Sequence, residues 1–279
     1  MKIWMRFALI VVLATAIAGC GQEQSTTTTS DVDLSAALPM DPNVRTGKLD
    51  NGLTYYIKAN EKPEDRAELR LAVNAGSILE DEQQLGLAHF AEHMLFNGTE
   101  NFEKNELIDF FELTGQKFGA HVNAYTSFDE TVYMLKPRTD SQEVFDMGFQ
   151  VLEDWAHQAL FEDEEIDKER GVVIEEWRLR LGPENRMLYQ YLPVLFNNSR
   201  YAERLPIGKV EVLQEFEYET IRRFYRDWYR PDLMAVVAVG DFDVDEVEQK
   251  IKDHFGDIKN PENAPEREVY DIPDHEETL

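Results

Sequence analysis

A single cysteine, Cys20, stands in 279 residues, which excludes an internal disulfide framework. Basic side chains are scarce. There are 28 Lys and Arg against 55 Asp and Glu, a formal net charge of −27. A surface of that sign cannot neutralise phosphates, so nucleic acid is excluded as a partner. The acidic surplus could favour basic partners, but it also describes any well-solvated surface and says nothing of fold. The apolar run Phe7 to Ala18 is too short to span a membrane, which needs about 20 residues. No internal repeat is found. What is present is material for a core: 43% hydrophobic and 11% aromatic residues rule out a wholly disordered chain. The length then allows one large domain or two small ones.

The N-terminus carries targeting signals. Lys2 and Arg6 give a positive start before the apolar run, as in a signal peptide. The run ends Ile17-Ala18-Gly19-Cys20, which resembles a bacterial lipobox, where the Cys is acylated and becomes the new N-terminus. Gly21, rather than Asp, follows it and fits an outer-membrane destination facing the periplasm. Residues 21–40 contain the Ser/Thr/Gln run Ser25 to Ser30 and read as a polar tether. The expected organisation is therefore 1–20 signal peptide, 21–40 tether, 41–262 folded domain, and 263–279 linker and start of a following segment.

Strand and helix patterns fill the folded part. Val44–Leu49 and Leu53–Ala59 flank Asp50-Asn51-Gly52, a hairpin signal. Ala67–Ala75 alternates like a strand. A helix is expected over Gln83–Phe96, ended by Asn97-Gly98, and another over Lys104–Thr114. Val122–Lys136 reads as paired strands. Ser141–Leu160 and Glu164–Leu181 read as long helices, the second stopped by Gly182-Pro183. Phe216–Tyr229 reads as a helix, Leu233–Val239 as an apolar strand, and Asp243–Phe255 as an Asp-capped helix. This order predicts an α+β fold, an antiparallel β-sheet packed against helices, rather than a doubly wound sheet.

Within Gly86-Leu-Ala-His-Phe-Ala-Glu-His-Met-Leu-Phe-Asn-Gly98 lies H-x-x-E-H, the inverse of H-E-x-x-H. Imidazoles four residues apart on a helix lie about 40° apart and roughly 6 Å along the axis, so His89 and His93 can reach one metal ion. Glu92 falls on the same side and can take a proton from water held at an open zinc position. A catalytic zinc needs a third protein ligand. Glu169 and Glu176, seven apart on the acidic helix, share a face, while Glu175 points about 100° away. Val172 and Val173 lie between them and can bury that face.

Gly86-x-Ala-His-x-x-Glu-His-Met-x-Phe-x-Gly-Thr99, then Val122-Asn-Ala-Tyr-Thr-Ser-Phe-Asp-Glu-Thr-Val-Tyr133, then Glu169-Arg-x-Val-x-x-x-Glu176 together resemble the pitrilysin/insulinase zinc metallopeptidases. The resemblance spans roughly residues 41–260. It implies the mitochondrial-processing-peptidase/insulinase-like fold, one Zn2+ per chain and hydrolysis of extended or unfolded peptides. It implies His89, His93 and Glu176 as zinc ligands, Glu92 as general base, and Glu169 as a carboxylate orienting a ligand. It places Asn123 and Ala124 on a strand that pairs with substrate backbone, with His121 beside the cleft but not a ligand. The family joins such a catalytic part to a homologous second half or partner subunit, and no second H-x-x-E-H-like half occurs here. Two functions are therefore expected to compete: a zinc endopeptidase of the bacterial cell envelope, or a non-catalytic subunit, lipid-anchored through Cys20, binding peptides or a peptidase partner. An intact Glu92 favours the enzyme, because a scaffold has no use for a base.

Overall fold

The computed structural model describes residues 36–104 and 106–276, so Cys20 and most of the tether lie outside the described residues. The unit that begins at Met40 is built on one six-stranded sheet. Its first hairpin forms as the Asn-Gly signal requires. β1 (Arg45–Lys48) pairs antiparallel with β2 (Thr54–Ala59). Gly52 takes φ 101° and Asn51 Oδ1 accepts the Leu53 N–H at 3.2 Å. β3 (Ala67–Val73), β4 (Val122–Thr126), β5 (Thr131–Leu135) and β6 (Met234–Gly240) complete the order β1-β2-β6-β3-β5-β4.

Every pair is antiparallel except β2 and β6, which run parallel with Thr54 opposite Ala235. The sheet is therefore mixed rather than purely antiparallel. Alternation shows which face of a strand is buried, not which strand it joins. β6 arrives after a long helical crossover and inserts between β2 and β3, and such crossovers produce parallel pairs.

Alternation also decides where the helices go. Leu69, Leu71 and Val73 of β3 and Met234, Val236 and Ala238 of β6 are buried, while Glu68 and Arg70 point the other way. Against the buried face pack α1 (Leu87–Met94), α3 (Gln142–His157), α7 (Tyr218–Trp228) and α8 (Val244–Phe255). Phe90, Phe149, Trp155, Phe224 and Phe255 are wholly buried there. Burying one such aromatic stabilises by about 1.5–3 kcal/mol relative to exposure. Trp155 Nε1 also donates to the Leu95 carbonyl at 2.9 Å, fixing α3 to the end of α1. Asp243 caps α8 as expected, accepting from the Asp245 and Glu246 amides.

Three helix expectations change. The motif helix begins only at Leu87, because Gly86 sits at φ 102° and ends a turn initiated by Asp81. A β-carbon on Gly86 would lie 3.0 Å from Gly208 Cα, so the tight approach of these loops also demands glycine. Gly182-Pro183 stops α4 (Asp163–Leu179) but then opens α5 (Pro183–Leu195), since Pro fits the first turn of a helix. Of the two valines on α4 only Val173 is buried; Val172 is 52% exposed. The inner stripe of α4 is thus Ile166, Glu169, Val173 and Glu176, and it faces α1. Two short helices complete the unit, α2 (Glu106–Leu113) and α6 (Val210–Glu215), the latter packed on α4.

Candidate metal centre

α1 lies between β4 and α4, so its polar stripe faces the inner stripe of α4. His89 Nε2 and His93 Nε2 are 3.3 Å apart, with the rings at 81°. Glu176 Oε2 lies 3.6 Å from each. Atoms at these separations share a centre about 2.0 Å from all three, which matches Zn–N and Zn–O bonds of about 2.0–2.2 Å. Two imidazoles and one carboxylate with one side open to a cleft are also the donor set of a catalytic rather than a closed structural zinc. His89, His93 and Glu176 therefore form a candidate zinc-binding site.

The two imidazoles are held differently. His93 Nδ1 meets Glu169 Oε1 at 2.8 Å, and Asn97 Nδ2 donates to Glu169 Oε2 at 2.9 Å and to the His93 carbonyl at 3.1 Å. His89 Nδ1 is buried without a protein partner among the described residues, so that ring has no counterpart of the Glu169 contact and its polar contacts run through Nε2. Glu176 also pairs through Oε1 with Arg180 one turn on, which leaves Oε2 for the imidazoles. Glu175 turns outward to Arg178, as its position on the helix requires.

Glu92, on the same stripe, receives a hydrogen bond from Thr126 Oγ1 to Oε2 at 2.5 Å. Burial pushes its carboxyl above the usual range, the Thr126 donor acting against the shift. Burial and the neighbouring His93 push His89 down to about 4. His93 is raised to about 9, because hydrogen bonds to Glu169 and Glu176 outweigh the burial that opposes its charge. Its partners move the other way. The hydrogen bond with His93 brings Glu176 down to about 2 against burial, and Glu169 is lowered because bonds to His93 and Asn97 overcome its own burial.

The cleft above these side chains measures ≈ 760 Å³. Asn123 and Ala124 of β4 line it, as do Thr126, Phe96 and Phe118. β4 ends the sheet, and among the described residues no strand pairs with its outer edge, where Val122 bonds to the preceding turn and Asn123 Oδ1 accepts the Ala124 N–H at 3.0 Å. His121 does not line the cleft; its Nδ1 accepts the Lys117 amide in the turn before β4. Sequence reading missed Asn97, Thr126 and Arg180. The signal for Asn97 was present, since it follows the motif directly, but it reads as an ordinary helix stop.

Comparison with known proteins agrees with this geometry. Residues 55–186 match the family model described as insulinase (peptidase family M16), and residues 215–278 match the one described as peptidase M16 inactive domain. The chain is 40% identical over 224 residues to the probable zinc protease PqqL of Haemophilus influenzae, covering 80% of this chain and 24% of that protein. It is 41% identical over 233 residues to the zinc protease PQQL-like of Arabidopsis thaliana, covering 83% and 24%. The crystal structure of the first half of the periplasmic protease PqqL from Escherichia coli superposes with a TM-score of 0.80 at 39% identity, covering 85% of this chain and 51% of that one. The chain spans about a quarter of the length of the curated relatives it matches.

Proposed function

We propose that this chain, which belongs to peptidase family M16, the insulinase family, is the metal-bearing part of a zinc endopeptidase acting on extended or unfolded peptides. The observation that carries the reading is the two-His, one-Glu triangle with a separate buried carboxylate, Glu92, on the same helix stripe. In it His89, His93 and Glu176 hold the ion, and Glu169 fixes the His93 ring through Nδ1. Zinc, when bound, polarises the scissile carbonyl and makes water more acidic. Glu92 takes the proton of the attacking water at Oε1, because Oε2 is engaged by Thr126, and returns it to the leaving amine. The outer edge of β4 at Asn123 and Ala124, where Asn123 Oδ1 would release the Ala124 N–H, accepts an extended peptide as an added strand, which selects unfolded substrate. A non-catalytic subunit would not need Glu92 so placed.

The matched segment is about a quarter of each relative's length, which supports a second homologous half or partner subunit closing the cleft. Similarity to a periplasmic protease supports a location in the bacterial cell envelope, facing the periplasm. We place the membrane attachment at an acylated Cys20, which the mass of the mature N-terminus tests. The activity is tested with zinc-loaded protein and unstructured peptides. Cleavage abolished by a chelator and restored by zinc is expected. No chelator-sensitive cleavage, by the chain alone or joined to the remainder of a relative, would overturn the reading.

Metal binding itself should release a proton. In the metal-free protein His93 is charged below about pH 9, whereas His89 is neutral above about 4. Ligation needs both imidazoles neutral, so at pH 7 one proton leaves, from His93. Lowering the pH restores the competing proton. Apparent zinc affinity should therefore fall about tenfold per pH unit between those two values. Calorimetry in buffers of different ionisation enthalpy should show one proton released to the buffer per zinc bound; zero or two would contradict the assignment.

A further inference from the structure

Glu92 is held from the cleft strand rather than from its own helix. Thr126 Oγ1 donates to Glu92 Oε2, and among the described residues that oxygen alone of the carboxylate has a side-chain donor. The direction of the bond is set by the carboxylate, which when ionised can only accept. Thr131 Oγ1 lies 3.0 Å from the Ala75 carbonyl and 3.4 Å from Thr126 Oγ1, so its single proton goes to Ala75. The Thr126 proton is then committed to Glu92.

The hydroxyl is also held rigidly. Thr126 is the last residue of β4, paired across the sheet with Thr131, and the next residue, Ser127, bonds through its amide to the Glu130 carbonyl at 2.8 Å. A β-branched side chain on such a strand has little freedom about its first torsion. Behind it, Thr131 and Tyr133 are wholly buried, and Tyr133 and Tyr229 join hydroxyls at 2.7 Å.

We propose that Thr126 is a positioning residue for Glu92: its hydroxyl fixes one carboxylate oxygen, presents the other to the cleft, and ties the base to the strand on which a peptide would dock. The inference rests on the peptidase reading, because positioning a base matters only if Glu92 is one. Peptide pairing along β4 would then reach the base through a single side chain.

The test compares Thr126→Val, an isosteric loss of the hydroxyl, with Thr126→Ser, which retains it. The Val variant should keep its zinc content and KM, while kcat falls about tenfold to a hundredfold, the cost of a slightly misplaced catalytic group. The Ser variant should recover most of that loss. A second reading needs no turnover: the 13C resonance of the Glu92 carboxyl, identified by its loss in Glu92→Gln, should move in Val and return in Ser. Unchanged kcat in Val, a loss confined to KM, an equal loss in Ser, or an unmoved carboxyl resonance would each overturn the proposal. If the wild-type protein cleaves nothing, alone or joined to the remainder of a relative, the peptidase reading fails, while the carboxyl resonance still decides whether Thr126 holds the Glu92 carboxylate. Should Val not fold, Thr126→Ala takes its place in both measurements.

Discussion

Glu92→Gln should retain one zinc per chain and lose peptide cleavage by roughly a thousandfold or more, within the range a positioned general base supplies. The amide keeps the shape of the side chain, and its carbonyl can still accept the Thr126 hydroxyl that holds Oε2. It cannot take up a proton from water. Because Glu92 is not one of the three atoms of the metal triangle, the His89, His93 and Glu176 geometry has no reason to change. The burial that raises the Glu92 carboxyl brings its basicity toward neutral pH, where a base must both start ionised and hold a proton in transit. Measured kcat together with metal content decides the point. Turnover at the wild-type level in a zinc-loaded Glu92→Gln protein would remove Glu92 from the mechanism.

The chemistry of this site was legible because it is local. His89, Glu92 and His93 fall within five residues, and helix geometry alone brings their side chains to one stripe. Glu169 and Glu176 were legible as a shared face for the same reason. That α4 lies against α1 came from the family resemblance, and the 3.6 Å distances come from the fold. What stayed hidden is what depends on tertiary contact. The parallel join of β2 to β6 has no local signature. Thr126 lies on a strand whose alternation marks its face but not its helical neighbour. α5 was lost because Gly-Pro reads equally as the end of one helix and the start of the next. The helical pattern extends across Gln83 to Leu85, but Gly86, with its left-handed backbone, is the true boundary of the motif helix.

Glu80 shows how much that boundary matters. α1 has no side-chain cap of its own at Gly86 and no acidic residue in its first turn. Its first amides are met from outside. Glu80 Oε2 accepts the Gly86 N–H at 3.0 Å and Oε1 accepts the Ala88 N–H at 2.8 Å, from a side chain with no exposure. Burial pushes this carboxyl up to about 8, with the two amides, Arg204 and Arg200 pulling the other way. In either ionisation state both oxygens can accept. Glu80→Gln replaces one of them with an NH2 group that faces an amide donor and leaves it orphaned. The cost of one buried unsatisfied donor is about 1–3 kcal/mol. For a domain of this size about 2 kcal/mol lowers Tm by roughly 4–8 °C. The sign with pH follows from the raised acidity. Wild-type stability from Glu80 is fully present below the ordinary carboxyl value of 4.5 and is lost as pH rises through about 8. Gln carries no such dependence, so the gap between the two proteins should be widest near pH 5 and narrow toward pH 9. His89 follows Ala88 directly, so loosening that amide also loosens the first ligand of the metal triangle, and zinc affinity should drop with Tm. Melting curves and chelator competition at several pH values measure both; a Gln variant that melts with the wild type at pH 5 and binds zinc equally well would show that α1 needs no anchor there.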